Sequence, residues 1–249
     1  APLGTLYAAS ALRSEGHQCA LFDAMLARDA QELLPVLRRE NPDFLVIYDD
    51  DFNYLTKMCL GRMRQAAFTM SGLAKEAGCT VIVHGSDPAD HAEAYLDHGA
   101  DYVVVGEGER TICELIRALR LSSVTDPASI PGLAYRDATG LRRTASRPVL
   151  TDLDQLPRPA WDLVDVERYR SAWRRHGYFS MNIVTTRGCP FHCNWCAKPI
   201  YGQVYHSRSP ECVVEEMLWL RSAFRPDHLW FCDDIFGLEP TYPDHTDPD

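Results

Sequence analysis

The chain has 249 residues, enough for one large domain or two ordinary ones, and 46% hydrophobic with 10% aromatic residues supports packed cores. Its formal charge of -10 argues against a broad basic surface, so nucleic acid and anionic membrane are not expected partners. Nine cysteines without a signal-like segment or a dense disulfide-type spacing predict a reducing compartment, the cytoplasm, and no apolar run reaches the length of a membrane span.

Apolar residues at helical spacing (Leu3, Leu6, Tyr7, Ala11) predict a first helix that stops at Gly16, followed by a short strand Cys19–Asp23. The alternation repeats three times and ends on a helix. A helix over 29–40 precedes the strand Phe44–Tyr48, and a long helix over 55–77 precedes the strand Thr80–His84. A helix from about Pro88 to Asp97 precedes Tyr102–Val105, and a last helix runs from Glu109 to about Leu121. Short apolar strands alternating with helices predict an α/β fold with a Rossmann-like parallel sheet covered on both faces. Ligands in such sheets lie beyond the carboxyl ends of the strands. That rule selects Asp49 to Asn53, Gly85-Ser86-Asp87 and Gly106-Glu107-Gly108-Glu109. The glycine-rich turn has a plainer explanation as a tight strand-to-helix connection with carboxylates near a helix N-terminus. His84, at a strand end, reads as an ordinary partly buried histidine.

Residues 123–165 change character. Segments 130–136 and 141–144 flank a turn at Asp137-Ala138-Thr139-Gly140 and predict a small hairpin, and Leu156-Pro157-Arg158-Pro159 favours an extended connector. The expected division is therefore a first domain over 1–122, a linker over 123–165 and a second domain over 166–249. In the last of these, the strand-like run Met181–Thr186 leads into Arg187-Gly188-Cys189-Pro190-Phe191-His192-Cys193-Asn194-Trp195-Cys196. Ser209-Pro210-Glu211 starts a helix with serine as cap, and the strand His228–Cys232 follows, ending in Asp233-Asp234. Strand, loop, helix, strand is the opening of a β/α barrel, whose function sits at strand carboxyl ends.

Cys189, Cys193 and Cys196 say most about chemistry. A four-iron cluster normally takes four thiolates, so three in one loop leave one iron open to a small molecule. A zinc site completed by His192 or His206 is the competing reading, although zinc motifs usually come as two spaced pairs. The other six cysteines (Cys19, Cys59, Cys79, Cys113, Cys212 and Cys232) read as small buried hydrophobes.

The C-x3-C-x2-C spacing resembles the signature of the radical S-adenosylmethionine (SAM) superfamily. The resemblance implies a 4Fe-4S cluster on the three cysteines whose open iron chelates SAM. It also implies reductive cleavage of SAM to a deoxyadenosyl radical, and an electron from an external donor such as flavodoxin or ferredoxin. Trp195 matches a family position near the adenine, and Asp233-Asp234 stands where that family often carries a Gly-Gly-Glu segment near the SAM amino group. Lys198, Tyr201, His206 and Arg208 are further candidates to approach SAM or substrate, with a solvated loop as the plainer role. The first half resembles the cobalamin-binding domain that precedes the cluster domain in one subfamily. Pro2-Leu3-Gly4 matches the opening of its first helix, and 99–109, with Gly106, Glu107 and Gly108, its last strand and turn. The two-proline connector also resembles the family's linker. That subfamily places a strand before the opening helix, so the sequence is expected to be a piece of a longer chain lacking that strand and the later barrel strands. The Asp-x-His-x-x-Gly loop by which some cobalamin proteins replace the lower axial ligand of cobalt does not occur, an absence shared by many members of the radical SAM family.

The resemblance implies methyl transfer to an unactivated centre or radical oxidative cyclisation of a small-molecule substrate. Two alternatives stay open: a radical SAM enzyme whose first domain binds no cobalamin, and a zinc-stabilised binding module.

Overall fold

The computed structural model describes residues 1–49, 52, 58–121, 126–194 and 200–238. Its larger sheet has five strands in the order β1 (Phe44–Tyr48), β2 (Thr80–His84), β3 (Tyr102–Val104), β4 (Leu133–Asp137) and β5 (Gly140–Arg143). The first three run parallel, with Leu45 opposite Val81 and Val83 opposite Val103. Side chains alternate between the faces of a strand, and here each face buries its own cluster. Ile82, Val104 and Leu133 pack beneath α1 (Leu3–Ser14) and α6 (Gly108–Leu121). Val81, Val83, Val103 and Ala134 pack against α2 (Leu33–Glu40), α3 (Leu60–Glu76) and α5 (Ala92–Asp97). Two-sided burial is why these strands read as continuous apolar runs.

Three expectations need correction. The segment Cys19–Asp23 is irregular rather than a strand. It lies across a groove of about 770 Å³ from β1, and among the described residues β1 pairs only with β2, so the segment has no ladder to join. The helix expected over 88–97 is broken at His91 into α4 (Ser86–Asp90) and α5. The expected hairpin forms as β4–β5, but β4 also pairs antiparallel with β3, Tyr102 opposite Tyr135, so the sheet expected to be parallel is mixed. Leu133 and Ala134 drive this pairing, being 1% and 0% exposed on opposite faces.

The second half is a parallel β–α–β unit. Strand β6 (Ser180–Ile183) pairs with β9 (His228–Phe231), and α8 (Pro210–Phe224) crosses between them. Ser209 caps α8 by accepting from the Cys212 amide, as expected. A short antiparallel pair, β7 (Thr186–Arg187) with β8 (His206–Ser207), brackets the cysteine loop. The helix α7 (Val166–Trp173), which sequence patterning did not announce, precedes β6 and is capped by Asp165.

α1 joins the halves. Its Ala8, Ala11 and Leu12 belong to the first core, while Leu3, Leu6 and Tyr7 pack with Trp161, Met181 and Leu220 of the second. A helix buried on two sides loses the usual polar stripe, hence its apolar sequence. Among the described residues no helix is long and apolar enough to cross a membrane.

Candidate cofactor site

The cysteine loop leaves the carboxyl end of the β6–β7 run. Thr185 and Thr186, both buried, are held there by Asp233, at the end of β9. One Asp233 oxygen accepts from both threonine amides at 2.7 Å, and the other accepts from the Thr185 hydroxyl at 2.8 Å. The Thr186 hydroxyl donates to the Ile235 carbonyl at 3.1 Å. Asp233, at the strand end, therefore has its carboxylate engaged by the backbone that launches the loop; Asp234 is exposed.

Gly188 follows with φ of +83°, and a side chain there would collide with the carbonyl of Val204. The close approach of two backbones demands glycine. Beyond it, Cys189 is partly buried and Cys193 exposed, both as free thiols. Two thiols on one open loop suit a thiolate-ligated cluster. Cys196, Trp195 and Lys198 lie outside the described residues. Among those described, no three metal-ligating side chains converge.

The described remaining candidates of the second half, Tyr201, His206 and Arg208, follow the loop in sequence. Arg208 donates to the Val184 carbonyl at 3.0 Å and pairs with the fully buried Glu216 at 2.5 Å. Burial lifts the Glu216 carboxyl above its usual range, against the pull of Arg208. Tyr201 is 5% exposed, and His206 pairs with Arg187 across the β7–β8 ladder.

Arg187 has no local sequence signal, and it ties the halves together. Its guanidinium, 2% exposed, donates to Glu107 at 2.5 Å and Glu109 at 2.6 Å, both on the turn after β3. Tyr201 covers it with its ring centre at 4.7 Å, a cation–π contact. Burial pushes the Glu109 carboxyl up, but the charge and hydrogen bond of Arg187 outweigh this and hold it below the usual range. The other Glu107 oxygen accepts from the Leu150 amide at 2.5 Å. Both glutamates, read from sequence as helix-end carboxylates or a cofactor turn, spend their charge on Arg187.

The carboxyl ends of β1 and β2 face the same region. His84 is fully buried, more so than its sequence position suggested. It stacks on Tyr48 with ring centres 4.0 Å apart and donates from Nε2 to the Gly106 carbonyl at 2.9 Å. Gly108 lets the start of α6 meet this pair, because a Cβ there would come within 2.9 Å of both rings. Gly106, at φ of +79°, has open space on its Cβ side. Gly85 packs against Asp49, and Ser86 opens α4. Just beyond, Asp87 accepts from Arg64 and from the Tyr95 hydroxyl.

Burial lowers the His84 pKa from 6.5 to about 4, despite the lift from its bond to Gly106. The folded protein holds the ring neutral where an unfolded chain would take up a proton. Stability from this group is thus complete above about pH 6.5 and drains as pH falls towards 4, by on the order of 3 kcal/mol. Urea unfolding at stepped pH should show His84→Gln losing about one proton's worth of this slope; parallel pH profiles for variant and wild type would contradict the assignment.

Of the six cysteines set aside, Cys79 and Cys113 are buried and Cys19, Cys212 and Cys232 partly so, whereas Cys59 is exposed.

Fold and site together define a two-part α/β protein. A sheet with glycine-rich turns at its carboxyl ends is bonded through a buried arginine to the root of a cysteine loop. No protein-family model matches the chain. An uncharacterized methyltransferase of Pyrococcus horikoshii is 29% identical over 95% of this chain and 49% of its own length. The anaerobic magnesium-protoporphyrin IX monomethyl ester cyclase of Synechocystis is 32% identical over 56% of this chain and 28% of its own. Among solved structures, the radical SAM methyltransferase TsrM of Kitasatospora setae superposes with a TM-score of 0.69 at 24% identity, over 96% of this chain and 46% of that one. The chain is thus similar over nearly its whole length to a methyltransferase and, in fold, to a radical SAM methyltransferase. It spans about half the length of the first of these relatives, and less of the second.

Proposed function

We propose that this chain is part of a cobalamin-dependent radical SAM enzyme. In this reading Cys189, Cys193 and Cys196 hold a 4Fe-4S cluster whose fourth iron site takes SAM, and the β–α–β unit is the opening of a partial barrel. When bound, the cluster and SAM supply a carbon radical and cobalamin a methyl carrier or redox partner. The chain's own part is to place them: Asp233 and Gly188 fix the loop root, and Gly106 leaves room beside the first sheet's carboxyl ends. The reaction is methyl transfer to an unactivated centre or radical oxidative cyclisation of a small molecule, with an external flavodoxin- or ferredoxin-like electron donor.

One observation carries this reading. Free thiols Cys189 and Cys193 project from a loop whose root, Arg187, is bonded to the turn after β3, so the loop lies beside the first sheet's ligand-binding edge. The relatives, methyltransferases and a cyclase, support the same two outcomes.

Anaerobic reconstitution of the full-length protein should give about four irons and four sulfides per chain, and Cys193→Ala should lose both the brown absorbance and reductive SAM cleavage. Zinc in place of iron, or an unaffected variant, would remove the radical mechanism. Saturable cobalamin uptake, followed by absorbance, decides between this enzyme and one with a cobalamin-free first domain.

A further inference from the structure

Arg187 stands two residues before Cys189, while its partners Glu107 and Glu109 come from the other half, 80 and 78 residues away in sequence. Resting on the cluster reading above, we propose that Arg187 is a positioning residue through which the turn 106–109 sets the placement of the cysteine loop.

Three features make the link stiff. The guanidinium is fully desolvated, where a displaced charge is costly, so Arg187 has one satisfactory position between its two carboxylates. Its planar fork serves two acceptors at once, which a lysine does not reproduce. Gly188 then passes the constraint on, because its backbone is pressed against the Val204 carbonyl with no slack before Cys189. Glu107 also holds the Leu150 amide, so the connector between the halves is fixed at the same point. A purely scaffolding ion pair would hold the halves together without altering the cysteines. A positioning residue alters them from a distance.

The variants are Glu107→Gln and Glu109→Gln in the full-length protein, each keeping an acceptor for Arg187 and removing one negative charge. Iodoacetamide alkylation of Cys189 in the apo protein should run several-fold faster in both variants, with far-ultraviolet circular dichroism unchanged. In the reconstituted protein the cluster midpoint potential should move to more positive values, since removing nearby negative charge favours the reduced cluster. A general loosening of the loop carries no such sign. Arg187→Lys, with the charge kept and the fork lost, should restore the potential and leave alkylation fast. Wild-type alkylation together with an unshifted potential in both glutamine variants overturns the proposal. If a variant misfolds, Glu109→Asp, which shortens the reach without changing charge, gives the same alkylation test. Should wild type hold no cluster at all, the functional reading falls, and the alkylation rates still judge the coupling by themselves.

Discussion

Gly188→Ala is expected to strip the full-length protein of its iron–sulfur absorbance, whereas Gly202→Ala keeps it. Both glycines sit at positive φ, +83° and +77°, where an alanine costs about 1–2 kcal/mol in torsion alone. They differ in what the new methyl group meets. At Gly202 the nearest atom is a Val149 methyl at 3.5 Å, an ordinary contact. At Gly188 it meets the Val204 carbonyl, and that backbone cannot retreat easily because β8 begins two residues later and is paired to β7. The loop has to move instead, taking Cys189 with it, at a total cost of roughly 3 kcal/mol or more. Iron and sulfide content after anaerobic reconstitution reads the difference, with thermal unfolding as a measure of the shared torsional cost. Equal cluster content in the two variants would show that the close approach at Gly188 does not shape the site.

The contrast between these glycines shows where sequence reasoning stops. The bounds of β1 and β2 follow from sequence because a two-sided strand needs an apolar residue at every position and a polar or turn residue at each end. Cys19–Asp23 has the same local pattern and forms no strand, since a ladder is a property of two segments and only one of them is local. The hairpin β4–β5 was legible as a hairpin, but its docking on β3 depends on Tyr135 finding Tyr102, 33 positions earlier. The cysteine spacing proposes a site without any fold because its chemistry is written in adjacent residues. Arg187 was invisible for the opposite reason: an arginine before a glycine carries no signal until the fold brings Glu107 and Glu109 to it. Asp233 falls between these cases. The strand-end rule singled it out, while its partners, two amides and a hydroxyl about 48 positions earlier, required the geometry.

Those partners make Asp233 a sharp test of what holds the loop root. Asp233→Ala would leave the buried Thr185 and Thr186 amides without an acceptor, and each orphaned donor costs about 1–3 kcal/mol. The expected loss is therefore about 3–5 kcal/mol, enough to loosen β6, β7 and the cysteine loop together. Asp233→Asn keeps one oxygen in the same place for both amides, and its NH2 group can donate to the Thr185 hydroxyl, so the expected loss is only about 1 kcal/mol. Urea unfolding of the full-length protein and hydrogen exchange at residues 184–187 measure both. A carboxylate whose main role was direct electrostatic contact with the SAM amino group would behave the other way. Alanine and asparagine would then weaken SAM binding alike, because both abolish the charge, and neither would change stability much. An alanine variant as stable as wild type would reassign Asp233 from the backbone it clamps to the ligand beside it.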